Sequence, residues 1–155
     1  MHNKETDSFA REIVQRLIES GLTLATAESC TGGAIAKEIT AVPGCSAVFK
    51  GAVVAYSNEV KAAILGVSEE TVKEMVTGAC KALRTDFAVA TSGIAGPGGG
   101  TAEKPVGMVW MAAGTGSKVE TRLLRMRDNG REKNIAMATQ HALLFLLQFI
   151  EHNTQ

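Results

Sequence analysis

The chain has 155 residues, of which 45% are hydrophobic and 21% are charged, and it carries 16 basic against 16 acidic residues. This length predicts one domain, spanning residues 1–155, with a core of its own. The formal net charge of +0 argues against a nonspecific nucleic-acid binder, which needs a basic excess to neutralise phosphates, but it is compatible with one small anionic ligand.

The sequence lacks the marks of a membrane or secreted protein. The longest unbroken apolar run, residues 142–147, is far too short to span a bilayer. Residues 1–6 are polar, so they lack the apolar core of a signal peptide. Three cysteines at positions 30, 45 and 80 have no tight spacing, which favours free thiols over a disulfide frame or a zinc site. We therefore expect a cytoplasmic protein without a membrane partner, a metal or a cofactor.

Helices and strands alternate along the chain. An amphipathic pattern at 9–17 predicts a first helix, which Gly21 ends. The elements expected next are a buried strand at 22–27, a helix from about 31 to 42, a strand at 48–56, a short helix through 65 capped by Ser57 or Asn58, and a longer helix at 69–83 capped by Ser68.

The second half of the chain adds a hairpin. A compact apolar strand is expected at 87–91, two strands at 106–113 and 119–126 joined by a glycine-containing turn, and a final helix at about 132–150. Helices alternating with strands, plus one hairpin, predict an α/β fold. We expect a single-domain three-layer α/β/α sandwich with a mixed sheet.

The first candidate site is the segment 27–33 (AESCTGG), between a predicted strand and a helix. Polar residues after a buried strand lie where α/β proteins place ligands, and unpaired N–H groups in a helix's first turn suit a phosphate or an oxyanion. Ser29 and Cys30 compete as nucleophile: a cysteine at a helix N-terminus is expected to have a lowered pKa, whereas a serine needs a neighbouring base. A plain helix cap explains the same residues without chemistry.

The second candidate is the segment 56–61 (YSNEVK), again a strand leading into a helix. None of the three histidines is placed to pair with an aspartate, which makes a lysine the leading base for a serine. A desolvated lysine loses its proton near neutral pH and acts as a general base. Lys61 is therefore a candidate, and Tyr56 is placed to shuttle a proton or orient the lysine. A solvated Lys61 on a helix surface is the alternative.

The third candidate is the glycine-rich loop 92–101 (SGIAGPGGGT). Such a loop after a buried strand can form a nest of backbone N–H groups around an anion, and a flexible surface turn is the alternative. It matches neither the P-loop nor the GxGxxG pattern. Arg131, just before the last helix, is a candidate phosphate clamp. The sequence has no HExxH, EF-hand or paired-cysteine pattern, so no metal is expected.

Four segments in this order resemble one family. They are AESCTGG at 27–33, YSN at 56–58 with Lys61, SGIAGP at 92–97 and EKPVG at 103–107. The chain resembles the C-terminal domain of the competence/damage-inducible protein family called CinA, in its stand-alone form. The resemblance runs from about residue 22 to the last helix.

This resemblance implies hydrolysis of the carboxamide of nicotinamide mononucleotide to nicotinic acid mononucleotide and ammonia, in pyridine nucleotide recycling. It places the family's nucleophilic serine on Ser29, its lysine base on Lys61 and its tyrosine on Tyr56. The expected partner is thus a small mononucleotide, and a homo-oligomer such as a dimer is expected because small enzymes often pair to complete a pocket. The expected substrate-binding residues are Thr31, Gly32, Gly33, Ser92, Gly93, Gly96, Gly98 and Arg131.

Two features depart from the family pattern. The family has an additional short segment between the two helices after its lysine, where residues 66–69 (GVSE) join them directly here. The family also shows a second arginine one turn after the position of Arg131, where this chain has Ile135. A nucleotide-binding module without catalysis is therefore the alternative function, and a Cys30 nucleophile is the alternative chemistry.

Overall fold

The computed structural model describes residues 3–65, 72–102 and 105–154. In this part of the chain a five-stranded sheet lies between helices. The helices are α1 (Lys4–Ser20), α2 (Ala34–Thr40), α3 (Asn58–Val60), α4 (Val72–Leu83) and α5 (Arg131–Asn153). The strands are β1 (Leu24–Glu28), β2 (Phe49–Val54), β3 (Phe87–Gly93), β4 (Met108–Gly114) and β5 (Val119–Arg125). A 3₁₀ turn at Cys45–Ala47 precedes β2, and a π-helical turn at Lys61–Leu65 continues α3.

The sheet is mixed, with its strands in the order β2-β1-β3-β4-β5. Strand β1 is parallel to both β2 and β3, and β4 is antiparallel to β3 and to β5. Strands β4 and β5 form the predicted hairpin, whose turn is closed by a hydrogen bond from the Thr115 N–H to the Lys118 carbonyl at 2.8 Å. Because β1, β2 and β3 run the same way, their carboxyl ends meet at one edge, where α/β proteins place ligands.

Alternation along each strand divides the core into two layers. Leu24, Phe87 and Val89 point to one face, which α1, α2 and α5 cover. The other face is largely alanine, at positions 25, 27, 88, 90 and 112, and α4 packs on it. A face of alanines has little side-chain volume, so close packing brings the helix near the sheet. The predicted three-layer α/β/α sandwich is therefore confirmed.

Helix ends agree with the sequence where a local signal sets them. Helix α1 ends at Gly21, whose φ of +68° is left-handed and whose N–H bonds to the Ile18 carbonyl. Ser57 caps α3, because its Oγ accepts the Val60 N–H at 3.2 Å. The cap predicted at Ser68 lies outside the described residues.

Some helix bounds differ from the prediction. Helix α1 begins at Lys4, ahead of the amphipathic pattern at 9–17. Helix α2 begins at Ala34, later than the expected start at 31–32, because residues 29–33 form a turn. Helix α5 continues to Asn153, beyond the expected end at 150. None of the helices in the described ranges combines the length and the apolar character needed to cross a membrane.

Candidate active site

A cavity of about 330 Å³ opens where β1 and β3 end. Its wall combines the residues that follow β1, those around α3 and the glycine-rich loop after β3. The lining residues are Ser29, Cys30, Tyr56, Lys61, Ser92, Gly93, Ile94, Ala95, Gly96, Gly98, Met108, Trp110 and Arg131. Most of the predicted site residues therefore surround one cavity.

Three lining side chains form a row across adjacent strands. Glu28, the last residue of β1, is paired with Thr91 of β3, so the next residues, Ser29 and Ser92, lie side by side. The Ser29 N–H continues the ladder by donating to the Thr91 carbonyl at 3.1 Å, and Ser92 is paired with Trp110 of β4. All three row residues lie two positions from buried alanines on the face that α4 covers. The row therefore shares that face.

Lys61 reaches this row from the first residue of the π-helical turn. Its Nζ donates a hydrogen bond to Ser92 Oγ at 3.3 Å. Lys61 is 7% exposed, and Ser29 is 8% exposed. The interpretation of Lys61 as a solvated surface residue is wrong, because its amine is buried in the wall of the cavity that Ser29 lines.

The carboxylate of Glu28 occupies the N-terminus of α2. Glu28 is 0% exposed, and it accepts the Ile35 N–H at 2.9 Å and the Ala36 N–H at 3.0 Å. The hydroxyls of Thr31 and Thr26 donate to the same carboxylate at 2.6 and 3.4 Å. The expectation of free helix N–H groups at this turn is wrong, because the Glu28 side chain accepts the N–H groups of Ile35 and Ala36, which lie seven and eight residues after it.

Thr31, Gly32 and Gly33 build the turn and are not among the lining residues. The Thr31 hydroxyl is buried, and it also shares a hydrogen bond with the Thr91 hydroxyl at 2.8 Å. Gly32 and Gly33 have φ values of +61° and +102°, a backbone region that favours glycine. The structure explains these residues by the turn, and their role in substrate binding stays a prediction.

Cys30 lines the cavity with a thiol that keeps its proton at neutral pH. Burial raises the pKa of Cys30 from the ordinary value of 9.0 to about 11, outweighing the lowering effect of the positive charge on Lys61. The expectation of a lowered cysteine pKa is wrong for two reasons. The thiol is buried, and Glu28 rather than a thiolate occupies the positive end of α2.

Arg131 joins the glycine-rich loop to Tyr56. Its Nη1 donates to the Gly96 carbonyl at 2.7 Å and its Nη2 to the Tyr56 hydroxyl at 2.6 Å. Asn134, one turn further along α5, is buried and donates to the Ala95 carbonyl at 3.1 Å. The start of α5 therefore holds the loop in place. An arginine side chain has five N–H donors, so these two bonds leave Arg131 donors for a ligand.

Close packing requires glycine at several positions of the loop, of which Gly93 and Gly96 line the cavity. A Cβ on Gly93 would lie 2.3 Å from the Met108 carbonyl oxygen, and a Cβ on Gly96 would lie 2.6 Å from a methyl of Val106. Gly98 lines the cavity with open space around it. The first part of the loop is thus packed against β4 and against Val106. This packing contradicts the alternative interpretation of the loop as a flexible surface turn.

Sequence reasoning missed the wall that β4 contributes. Met108 and Trp110 alternate with the buried Val109 and Met111, and this period of two was the signal that pointed to them. Residues 66–69 and 103–104, which belong to the family comparison, lie outside the described residues. Within the described ranges, no group of three or more His, Cys, Asp or Glu side chains is arranged to hold a metal ion.

Comparison with known proteins decides the family. Residues 6–150 match the model of the CinA C-terminal domain. The chain belongs to this family. The crystal structure of competence/damage inducible protein CihA from Agrobacterium tumefaciens is similar to the CinA domain described here, with a TM-score of 0.91 at 38% identity. That likeness covers 96% of this chain and 97% of the other, and the architecture is therefore shared throughout.

Two relatives differ in how much of their length this chain covers. Nicotinamide-nucleotide amidohydrolase PncC of Escherichia coli strain K12 is 43% identical, over 99% of this chain and 100% of the relative. A competence-damage inducible protein of Halothermothrix orenii is 42% identical over 97% of this chain, which spans only 39% of that relative's length. The chain therefore matches the whole of the first relative and a part of the second.

Proposed function

We propose that this CinA domain hydrolyses the carboxamide of nicotinamide mononucleotide, giving nicotinic acid mononucleotide and ammonia, as a step of pyridine nucleotide recycling. Full-length similarity to a relative named nicotinamide-nucleotide amidohydrolase supports the substrate. The observation that supports a serine–lysine mechanism is the buried Lys61 amine, which is hydrogen-bonded to Ser92 in the wall of the cavity that Ser29 also lines. An adjacent base is what a serine needs to become a nucleophile.

Ser29 is the proposed nucleophile. Its Oγ attacks the carboxamide carbon and forms a tetrahedral intermediate, whose collapse breaks the C–N bond, releases ammonia and leaves an ester on Ser29. Water then hydrolyses this ester and restores the hydroxyl. The backbone around Ser29 is well fixed for this role, by the bond to Thr91 on one side and by the Glu28 cap on the other.

Lys61 is the proposed general base, with Ser92 as the residue that positions it. As a neutral amine, Lys61 takes the Ser29 proton during attack, and the ammonium so formed returns a proton to the departing nitrogen. Ser92 holds the amine through the 3.3 Å hydrogen bond. Because Ser92 lies beside Ser29 on the neighbouring strand, this bond keeps the amine close to the nucleophile.

The oxyanion of the intermediate needs N–H donors, which we assign to the turn after Ser29. Glu28 already accepts the first N–H groups of α2 that point outward, so the helix itself is not the donor. The N–H groups of Cys30 and Thr31 stand at the start of the turn and take no part in that cap. Preorganised backbone donors of this kind stabilise charge that develops in the transition state.

Arg131, Tyr56 and the glycine-rich loop are proposed to hold the nucleotide. Arg131 offers its remaining N–H donors to the phosphate, and the backbone at Gly96 and Gly98 contacts the phosphate and ribose. The Tyr56 hydroxyl accepts its hydrogen bond from Arg131, so Tyr56 keeps its own proton for a relay, in which it gives that proton to the departing nitrogen and takes one from the Lys61 ammonium. Tyr56 is 58% exposed, which suits a residue at the mouth of the cavity.

We also infer that residues 1–155 act as one cytoplasmic domain that forms a homodimer. Val54 and Ile64 are exposed apolar side chains, and apolar surface of this kind is what a second copy would cover. Light scattering on the purified protein is expected to give twice the 16.3 kDa mass of one chain. An active enzyme that stays monomeric would contradict this inference.

The first test of the proposed function measures ammonia release from nicotinamide mononucleotide. The parent is expected to release one ammonia for each nicotinic acid mononucleotide formed, and Ser29→Ala is expected to lose several orders of magnitude in kcat. Ser8→Ala is a matched control, because Ser8 is an exposed serine on α1. Tight binding of the mononucleotide by a parent that releases no ammonia would instead support the nucleotide-binding module.

A further inference from the structure

Trp110 forms part of the cavity wall without a role in the chemistry described above. It is the single tryptophan of the chain, and it is paired across the strands with Ser92, the residue that binds the Lys61 amine. Its side chain lines the cavity and is 40% exposed. A large aromatic surface left open in a cavity is typical of a residue that packs against a ligand.

The charges around the cavity limit how a positively charged ring can be held there. The titratable nitrogen-bearing side chains that line it in the described ranges are Lys61 and Arg131, and neither Asp nor Glu is among those lining residues. The nearby Glu28 carboxylate is 0% exposed and is engaged by α2. A cationic group that enters this cavity therefore meets no lining carboxylate among the described residues, and the exposed aromatic face of Trp110 is a group that attracts it.

The proposed substrate carries such a group. In nicotinamide mononucleotide the ring nitrogen is bonded to the ribose, which makes the ring a pyridinium cation. When Ser29 attacks the carboxamide, the ring lies within a few ångströms of the nucleophile, because the carboxamide is attached directly to it. Neighbouring strands are about 4.8 Å apart, so Trp110, two strands from Ser29, stands about 10 Å away, a distance that a ring attached to the reacting carboxamide can bridge.

We infer that the indole face of Trp110 binds the pyridinium ring by a cation–π contact and selects the charged ring over a neutral one. This inference rests on the proposed function for the identity of the substrate. It makes Trp110 a specificity-determining residue, distinct from Ser29 and Lys61, which act on the carboxamide. Trp110 therefore affects binding of the ring rather than transfer of the proton.

The test is a cycle that varies both the protein and the ligand charge. Calorimetry measures binding to Ser29→Ala and to the double variant Ser29→Ala/Trp110→Leu, each with nicotinamide mononucleotide and with its reduced, uncharged dihydropyridine form. Ser29→Ala is expected to prefer the charged ligand about tenfold, which corresponds to about 1.4 kcal/mol, and the double variant is expected to lose that preference. A second double variant with Trp110→Phe is expected to retain part of it.

Each result separates this inference from the proposed function. Equal selectivity with tryptophan or leucine at position 110 would overturn the inference, even where the parent releases ammonia. Selectivity that depends on Trp110 in a parent without turnover would support the inference and reject the amidase. Failure to bind either mononucleotide would reject both. Ile18→Ala in the Ser29→Ala background is the control, since Ile18 is a 43% exposed apolar residue on α1, and it is expected to leave both affinities unchanged.

Discussion

Replacing Glu28 by glutamine tests how the fold holds the turn of the nucleophile. The Glu28 carboxylate accepts four hydrogen bonds inside the protein, from two N–H groups of α2 and from the hydroxyls of Thr31 and Thr26. Glutamine keeps the shape of the side chain but exchanges one acceptor oxygen for an NH₂ donor. At least one of the four donors therefore loses its acceptor, and the bonds that survive go to a neutral group.

The cost of Glu28→Gln follows from these bonds. A buried donor without a partner costs about 1–3 kcal/mol, and a bond to a charged group contributes about 1 kcal/mol more than a bond to a neutral one. Removing the buried charge offsets part of this loss of stability, because folding no longer has to desolvate a charged carboxylate. We expect the free energy of unfolding to fall by about 2–3 kcal/mol, which corresponds to a Tm lower by about 4–12 °C for a chain of this size.

Urea unfolding followed by circular dichroism measures this change. The same variant is expected to lose roughly 10- to 100-fold in kcat, because a small displacement of Ser29 misaligns the attack. Glu38→Gln is the matched control on α2. Because the Glu38 carboxylate is half-exposed, the same substitution there is expected to change the free energy of unfolding by no more than about 0.5 kcal/mol. An unfolding free energy for Glu28→Gln equal to that of the parent would refute the argument that this carboxylate caps α2.

Three further substitutions test the other parts of the site. Ser92→Ala is expected to lower kcat roughly tenfold with little change in KM, because the Lys61 amine loses the hydrogen bond that it donates to the Ser92 hydroxyl. Cys30→Ala is expected to keep its activity, and alkylation of Cys30 in the parent is expected to be slow at pH 8, accelerating as the pH rises toward 11. A pKa of about 11 in place of 9.0 leaves about a hundredfold less thiolate at pH 8. Gly93→Ala is expected to destabilise the protein by about 3 kcal/mol, since its Cβ overlaps the Met108 carbonyl oxygen.

Each of these substitutions has a control and a contradicting result. Ser117→Ala removes an exposed hydroxyl in the β4–β5 turn, and Gly116→Ala adds a Cβ where open space surrounds the glycine. If Ser92→Ala had the kcat and KM of the parent, this result would contradict the proposal that Ser92 positions the Lys61 amine. Labelling of Cys30 as fast as that of the less buried Cys45, read by mass spectrometry at pH 8, would contradict a raised thiol pKa. A Gly93→Ala protein with the Tm of the parent would contradict the packing argument.

Much of the fold follows from local patterns in the sequence. Helix α1 has apolar residues at every fourth position and a glycine at its end, and the two strands of the hairpin are separated by a short turn rich in glycine. These signals act over a few residues, so they can be read without the tertiary structure. The mixed sheet and the convergence of polar residues at one edge follow from the order of the elements.

The parts that sequence reasoning missed depend on contacts between distant elements. The Glu28 cap requires the exact path of the 29–33 turn, which brings the carboxylate back to α2. The burial of Lys61 depends on its place in a π-helical turn above the sheet, a geometry without a reliable local signal. The position of Trp110 beside Ser92 depends on the register of β3 and β4, which tertiary packing sets.

Trapping the covalent intermediate tests the central claim most directly. The parent is mixed with nicotinamide mononucleotide and quenched in acid within a turnover, and mass spectrometry of the peptides then locates the attached group. The account predicts an ester on Ser29 whose mass is that of the mononucleotide less ammonia, and no adduct in Ser29→Ala. An adduct on Cys30 or another side chain, or undiminished ammonia release by Ser29→Ala, would contradict it.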